Sequence, residues 1–160
     1  MISPNRTPNR NHAIDTITIH CFVGQVTAKR GCEVFQPSSR KASCNYVVGY
    51  DGSIGLCVEE KDRSWCSGGT DKKGNPIRVN GISGSSNDYQ AVTIEVASDT
   101  KHPYTITDKA MAALIELCTD ICRRNGIKQL LWKGDKTLVG RVAQQNLTVH
   151  RWFANKACTG

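Results

Sequence analysis

Two histidines and a cysteine have the residue types and spacing of a metal site. His20 ends an early strand-like segment, and Cys158 follows His150 by eight residues, at the end of a short loop. Two neutral imidazoles and one thiolate are a donor set that suits zinc. Three protein ligands leave a fourth position open, which is the arrangement of a catalytic rather than a structural site. A water in that position would have its pKa lowered to about 7, giving a nucleophile at neutral pH.

A repeated pattern predicts a carboxylate beside these imidazoles. Segments 18–20 (TIH), 93–95 (TIE) and 148–150 (TVH) each place a polar side chain two residues after a threonine. On a strand, both polar side chains then share one face and the apolar residue between them points to the other. If the three strands are neighbours, two imidazoles and the carboxylate of Glu95 lie together on one face of the sheet.

Amide hydrolysis needs two further roles beside the metal. One group must accept the proton of the attacking water and pass it to the leaving amine, and Glu95 is the best candidate by position. Another must stabilise the developing oxyanion, and Lys156 lies two residues before Cys158. Removing such a donor typically costs about 10²–10³ in rate.

The elements that must position these residues are strands alternating with helices. We expect strands at 14–23, 90–97, 127–132 and 147–150, a hairpin over 45–58 turning at Asp51-Gly52, helices at 107–125 and 137–144, and a short helix within 24–43. In the long helix, the apolar stripe is Met111, Leu114, Ile115, Cys118, Ile121 and Cys122. Residues 67–88 form a long polar loop, a feature that is often functional. The order of elements predicts an α/β fold with a mixed central β-sheet flanked by helices.

Size and composition indicate one domain with a real core. The chain has 160 residues, of which 39% are hydrophobic, and a net charge of +7. A basic surface favours anionic partners, but the Lys and Arg residues are scattered, which weakens a nucleic-acid reading. Residues 1–13 lack the apolar stretch of a signal peptide, and no segment is long enough to span a bilayer. We therefore expect a cytoplasmic product with mostly reduced thiols and no membrane insertion. We also expect a monomer. The chain is interpreted as a catalytic domain that was cut from a longer protein with a C-terminal wall-binding domain.

At this point the sequence resembles the zinc-dependent N-acetylmuramoyl-L-alanine amidases, the amidase-2 family that includes phage endolysins of the T7 lysozyme type and the peptidoglycan recognition proteins. The motifs that carry the resemblance are 150–158 (HRWFANKAC), the strand ending in His20, 43–52 (SCNYVVGYDG) and 91–95 (AVTIE). They occur in the family's order and cover the chain from about residue 14 to 160.

The resemblance implies one zinc and cleavage between N-acetylmuramic acid and the first L-alanine of bacterial peptidoglycan. It carries zinc ligation onto His20, His150 and Cys158, a transition-state role onto Lys156 and an acid/base role onto Glu95. An endolysin would act on the cell wall after release through a holin lesion. Two positions depart from the family: Cys44 stands where some members place a catalytic Tyr, and Thr159 where Pro is usual.

Several other residues could bind substrate or metal, or could be ordinary packed or solvated side chains. Asn45 and Trp65 are candidates for binding substrate, and Cys44 is a candidate cleft thiol. The other cysteines are interpreted as small buried hydrophobes, so that only Cys158 has the position of a ligand; His12 and His102 are expected to be solvated. Three other functions stay open: a module that binds peptidoglycan without cutting it, a cytosolic amidase that recycles muropeptides and, third, a basic nucleic-acid-binding domain.

Overall fold

The structure is a computed structural model that describes residues 2–68, 73 and 86–154. Its strands are β1 (Arg6–Thr7), β2 (Thr16–Cys21), β3 (Tyr46–Val48), β4 (Ile54–Leu56), β5 (Arg63–Ser64), β6 (Ala91–Val96) and β7 (Leu147–Val149). Its α-helices are α1 (Ala28–Val34) and α2 (Asp108–Arg124), and short 3₁₀ helices lie at Ser38–Arg40, Asn87–Tyr89, Lys136–Leu138 and His150–Trp152. None of these helices is long and apolar enough to cross a membrane.

Five of the strands form one mixed sheet in the order β4-β3-β6-β2-β7. β6 lies in the middle and pairs in parallel with β2 and β3, while β7 adds in parallel to β2 and β4 closes the other edge antiparallel to β3. Strands β1 and β5 pair separately as a two-stranded ribbon. The predicted α/β fold with a mixed central sheet flanked by helices is confirmed, and the three Thr-containing strands are neighbours.

The main core lies between this sheet and α2. Thr107 caps α2 by accepting a hydrogen bond from the Ala110 amide, and the buried core residues are Ile17, Val48, Val92, Ile94, Val96, Ala110, Ala113, Leu117, Cys118 and Ile121. The predicted apolar stripe of α2 is partly wrong, because Met111 and Ile115 are exposed. The buried face of the helix is rotated about the helix axis relative to the predicted one. Alanines face the sheet in their place, which lets the helix lie close to its β-branched side chains.

A second core packs α1 onto the β3–β4 hairpin. Two glycines bring the elements together: a Cβ at Gly31 would lie 2.6 Å from Val47 Cγ1, and one at Gly55 would lie 2.6 Å from Cys32 Sγ. The buried cluster is Ala28, Cys32, Phe35, Cys44, Val47 and Cys57. Cys44 is fully buried there, so its prediction as a cleft thiol is wrong.

Two predicted elements near the C-terminal end of the described chain differ from the structure. Residues 127–132 form no strand. The side chain of Asn146 takes the place of part of a ladder: its Oδ1 accepts the Leu131 amide at 2.7 Å, and its Nδ2 donates to the Gln129 carbonyl at 3.0 Å. The Leu131 carbonyl accepts the backbone amides of Asn146 and Leu147. The helix predicted at 137–144 is reduced to the 3₁₀ turn Lys136–Leu138, followed by Gly140 with a positive φ of 86°.

Candidate active site

Three polar side chains meet at the carboxyl end of the central parallel strands. His20 on β2 is in register with Glu95 on β6, and its Nδ1 lies 4.0 Å from Glu95 Oε1. His150 directly follows β7, and its ring centroid lies 4.3 Å from that of His20. Both imidazoles are buried and Glu95 is half-buried. The sheet therefore brings together the two predicted metal-binding histidines and the predicted base.

Below these groups lies a layer of hydroxyl side chains. Thr18, Thr93 and Thr148 are aligned across β2, β6 and β7 and are all buried. Thr18 Oγ1 hydrogen-bonds Thr148 Oγ1 at 2.8 Å, and Thr93 Oγ1 hydrogen-bonds Ser64 Oγ at 2.8 Å. Buried hydroxyls are normally hydrogen-bonded. The first bond joins β2 to β7, and the second joins β6 to β5 of the ribbon.

A cleft of about 320 Å³ opens above Glu95 and His150. Its other lining residues are Cys21, Phe22, Val23, Val34, Phe35, Arg40, Ala42, Ser43, Trp65 and Cys66. Trp65 is half-buried and donates its indole N–H to Thr7 Oγ1 at 2.9 Å, which holds the ring against the N-terminal ribbon. Mostly apolar walls with a few polar groups at the bottom are typical of small-ligand sites.

A network that the sequence analysis missed orients His20. The buried carboxylate of Asp88 accepts the backbone amides of Cys66, at 2.9 Å, and Ser67, at 2.9 and 3.1 Å. Ser67 Oγ lies 3.3 Å from His20 Nε2, and Asn87 Nδ2 donates to Thr18 Oγ1 at 2.8 Å. Such outer partners fix the orientation of a ligating imidazole. The available signal was the long polar loop, since Ser67 and Asn87 lie at its two ends.

Electrostatics around Asp88 reinforce this network. Burial raises the pKa of Asp88, opposed by its hydrogen bonds to Ser67 and Cys66. The guanidinium of Arg10 donates to the Asp88 and Tyr89 carbonyls at 2.7 and 2.9 Å, and burial lowers the pKa of Arg10. A buried charge is tolerated when it is paired and hydrogen-bonded, so the segment after β1 that carries Arg10 supports the site.

Cys66 is a cleft residue that the sequence analysis assigned to packing. Its Sγ lies 3.8 Å from Glu95 Oε1. Within the described part of the chain, Cys66, His20 and Glu95 are the only group whose potential ligand atoms all lie within 4.8 Å of one another. A thiol other than the predicted ligand Cys158 therefore stands beside the predicted metal position.

Of the other predicted site residues, Asn45 lies within the described part of the chain. Asn45 is buried, and its side chain accepts the Thr93 amide at 3.1 Å and donates to the Val58 carbonyl at 3.1 Å. These bonds join the hairpin to β6, so the side chain supports the floor of the site rather than facing the cleft. Lys156 and Cys158 lie outside the described residues.

Comparisons with solved structures agree on the fold. PlyL matches with a TM-score of 0.65 at 12% identity, covering 99% of this chain and 83% of that chain. A mutant endolysin from Bacillus subtilis matches with a TM-score of 0.60 at 15% identity, covering 94% and 79%. The N-acetylmuramoyl-L-alanine amidase LysC from Clostridium intestinale matches with a TM-score of 0.57 at 15% identity, covering 95% and 80%. A search of curated proteins found no significant match.

The family comparison covers almost the whole chain. The model of the family described as N-acetylmuramoyl-L-alanine amidase matches residues 10–160. That span contains all the strands of the central sheet and every predicted site residue. The chain therefore belongs to the N-acetylmuramoyl-L-alanine amidase family, enzymes that hydrolyse the amide bond between N-acetylmuramic acid and L-alanine in bacterial peptidoglycan.

Proposed function

We propose that this amidase works with one zinc ion held by His20, His150 and Cys158, with Glu95 and Lys156 as the catalytic side chains. The observation that carries the proposal is the convergence of His20 with His150 and Glu95, which both line one cleft. Members of the family are typically metal-dependent. The identity of the metal and its ligands is the part that experiment must test.

The chemistry of the donor set fits zinc. Imidazole and thiolate are ligands that zinc accepts, and Zn–N distances are about 2.0–2.1 Å. The ring centroids of His20 and His150 lie 4.3 Å apart and both rings are buried, so the two imidazoles are close enough to share one ion. The hydrogen bond between Ser67 and His20 Nε2 leaves Nδ1 as the nitrogen on the Glu95 side of the ring. When bound, zinc would lower the pKa of a water to about 7 and polarise the amide carbonyl.

Glu95 is positioned to move the proton. It lies on the central strand, next to His20, and lines the cleft while remaining half-buried. As a carboxylate it can accept the proton of the attacking water, and the resulting acid can deliver that proton to the leaving amine nitrogen. The ammonium group of Lys156 would stabilise negative charge on the carbonyl oxygen as the tetrahedral carbon forms.

The cleft walls suit a substrate that joins a sugar to a peptide. Phe35 and Trp65 are aromatic residues that line the cleft, and aromatic side chains contribute large contact areas to such sites. Arg40 is exposed at the rim and offers a guanidinium to a carboxylate of the stem peptide. The net charge of +7 favours an anionic wall as the target.

The test compares cleavage with binding. Purified protein is incubated with intact sacculi, and released amino groups and product masses are measured before and after dialysis against a chelator. We expect free L-alanine amino termini on the stem peptides, loss of activity after dialysis and recovery with zinc but not magnesium. Tight wall binding without release, even with added zinc, would make the chain a binding module. Activity on soluble muropeptides alone would make it a recycling amidase.

A further inference from the structure

Three cysteines from three separate segments meet inside the second core. Cys32 lies on α1, Cys44 precedes β3 and Cys57 follows β4. All are buried, and Cys44 and Cys57 have no exposed surface. The proposed zinc chemistry uses none of them.

The sulfurs of Cys32 and Cys57 are in unusually close contact. They lie 2.7 Å apart, whereas even carbon atoms, which are smaller than sulfur, rest at about 3.5–4.0 Å in non-bonded contact. Gly55 makes this approach possible, because any Cβ at that position would strike Cys32 Sγ at 2.6 Å. The fold itself therefore brings this pair to nearly the separation of a covalent bond, which is about 2.0 Å in a disulfide.

A metal site is a poorer explanation for the three thiols. A three-ligand site needs all its donor atoms within reach of one ion. Across residues 2–68, 73 and 86–154, the only group that meets this condition is His20, Cys66 and Glu95. The 2.7 Å contact joins the sulfurs of Cys32 and Cys57, and a pair is what a disulfide requires.

We propose that Cys32 and Cys57 are a redox-active pair that closes to a disulfide under oxidising conditions and ties α1 to the end of β4. The reaction is thiol–disulfide exchange with a small disulfide such as oxidised glutathione. Cys32 attacks one sulfur of the reagent and displaces a thiol, and Cys57 then attacks the mixed disulfide and displaces the second thiol. Two protons leave the protein, two electrons pass to the reagent, and one S–S bond forms.

Access and thiol chemistry set the rate and order of these steps. Cys32 lines a surface cavity of about 550 Å³ together with Lys29, whereas Cys57 does not line it and has no exposed surface. The hydrogen bond with Cys57, and then burial, raise the pKa of the Cys32 thiol. Because the thiolate is the attacking form, exchange is slow at neutral pH and faster in alkaline solution. The pair accordingly stays reduced in a reducing cytoplasm and closes in the oxidising surroundings where peptidoglycan lies.

The bond would stabilise a wall of the active-site cleft. Val34 and Phe35 follow Cys32 at the end of α1 and line the cleft. Cross-linking residues 32 and 57 closes a loop in the unfolded chain and lowers its entropy, so we expect the oxidised protein to have a Tm about 5–10 °C higher. Zinc binding and the catalytic side chains are unaffected, so failure of the zinc proposal would leave this inference intact.

Peptide mapping of the full chain tests the pairing. The protein is incubated at pH 8.5 with oxidised glutathione, denatured, alkylated at its remaining thiols and digested with trypsin plus chymotrypsin. Chymotrypsin is needed because trypsin leaves Cys44 and Cys57 on one peptide, whereas cleavage after Tyr46 and Tyr50 separates them. We expect a peptide pair joined through Cys32 and Cys57, lighter by two hydrogens, and a raised Tm that dithiothreitol reverses.

Matched variants decide which thiols are responsible. Cys32→Ser and Cys57→Ser should each abolish both the cross-link and the Tm gain, whereas Cys44→Ser should keep both. Cys118→Ser, which removes a buried thiol of the other core, is the control and should also keep both. A main product that joins Cys44 to Cys57, or a chain with eight alkylated cysteines after prolonged oxidation, would overturn the proposal.

Discussion

The two faces of the central sheet use the same strands for opposite purposes. On one face, Ile17, Ile94 and their neighbours form a dry core with α2. On the other, Thr18, His20 and Glu95 carry the polar floor and the reactive groups. Because successive side chains of a strand alternate between faces, one register of three parallel strands builds both.

The faces differ in what holds them in place. The apolar face gains its stability from burial, which is not directional and is roughly proportional to area. The polar face depends on hydrogen bonds of defined length from segments outside the sheet, such as those of Ser67 and Asp88. Substitutions on the apolar face should therefore change stability, and substitutions on the polar face should change chemistry.

The largest effect is expected at Glu95. Glu95→Gln keeps the size of the side chain but removes the carboxylate that moves the proton, so we expect about a 10²–10⁴-fold loss of kcat. Bound zinc and Tm should stay close to those of the parent. Release of amino groups from sacculi measures the rate. Full activity of Glu95→Gln would refute the assignment of the base.

The neighbouring residue on the same strand should give the reverse result. Ile94 is fully buried on the apolar face, and Ile94→Ala should lower the free energy of unfolding by about 2–5 kcal/mol. The milder Ile94→Val should cost about 0.5–1.5 kcal/mol. Denaturant unfolding measures both. Activity per folded molecule should be retained, and a large loss of kcat at full folding would mean that the two faces are not independent.

A smaller effect on catalysis is expected from the network behind His20. Asp88→Asn keeps the shape of the side chain but presents an N–H donor to one of the backbone amides of Cys66 and Ser67. By analogy with outer partners of metal ligands, we expect a 10–100-fold loss of zinc affinity or activity. Competition for zinc with a chelating dye measures the affinity. Unchanged affinity and unchanged kcat would show that Asp88 serves only the fold.

The smallest effect is expected at Cys66. Cys66→Ser keeps a small polar group and the backbone bond to Asp88, and Cys66 is not among the proposed ligands, so we expect kcat to change less than about 3-fold and zinc content to stay constant. Cys158→Ser is the matched comparison and should lower zinc content and activity together. Loss of zinc from the Cys66 variant would instead make Cys66 a ligand.

The sequence predicted elements whose local pattern and tertiary role agree. Strand alternation predicted β2, β6 and β7, and the Thr-x-His and Thr-x-Glu patterns predicted that His20, Glu95 and His150 share a face. The Asp51-Gly52 turn predicted the hairpin, and Gly52 has the positive φ of 83° that such a turn favours.

The features that the sequence did not predict depend on contacts between residues that are far apart in the chain, and no local sequence pattern indicates such contacts. Segment 127–132 is apolar enough for a strand but is held by the side chain of Asn146. No local pattern separates Cys44 from Cys66, yet Cys44 is buried beside Cys57 and Cys66 lies 3.8 Å from Glu95. Asp88 has no recognisable motif, because its role depends on two amides 21 and 22 residues earlier in the chain.

The central claim is that the polar face binds one zinc ion through His20 and His150. Elemental analysis of protein purified from zinc-containing medium tests it most directly. The account predicts about one zinc per chain in the parent and in Glu95→Gln, and close to none in His20→Ala and His150→Ala, with circular dichroism confirming that each variant is folded. Zinc retained by both histidine variants, or an active parent that holds no zinc, would contradict it.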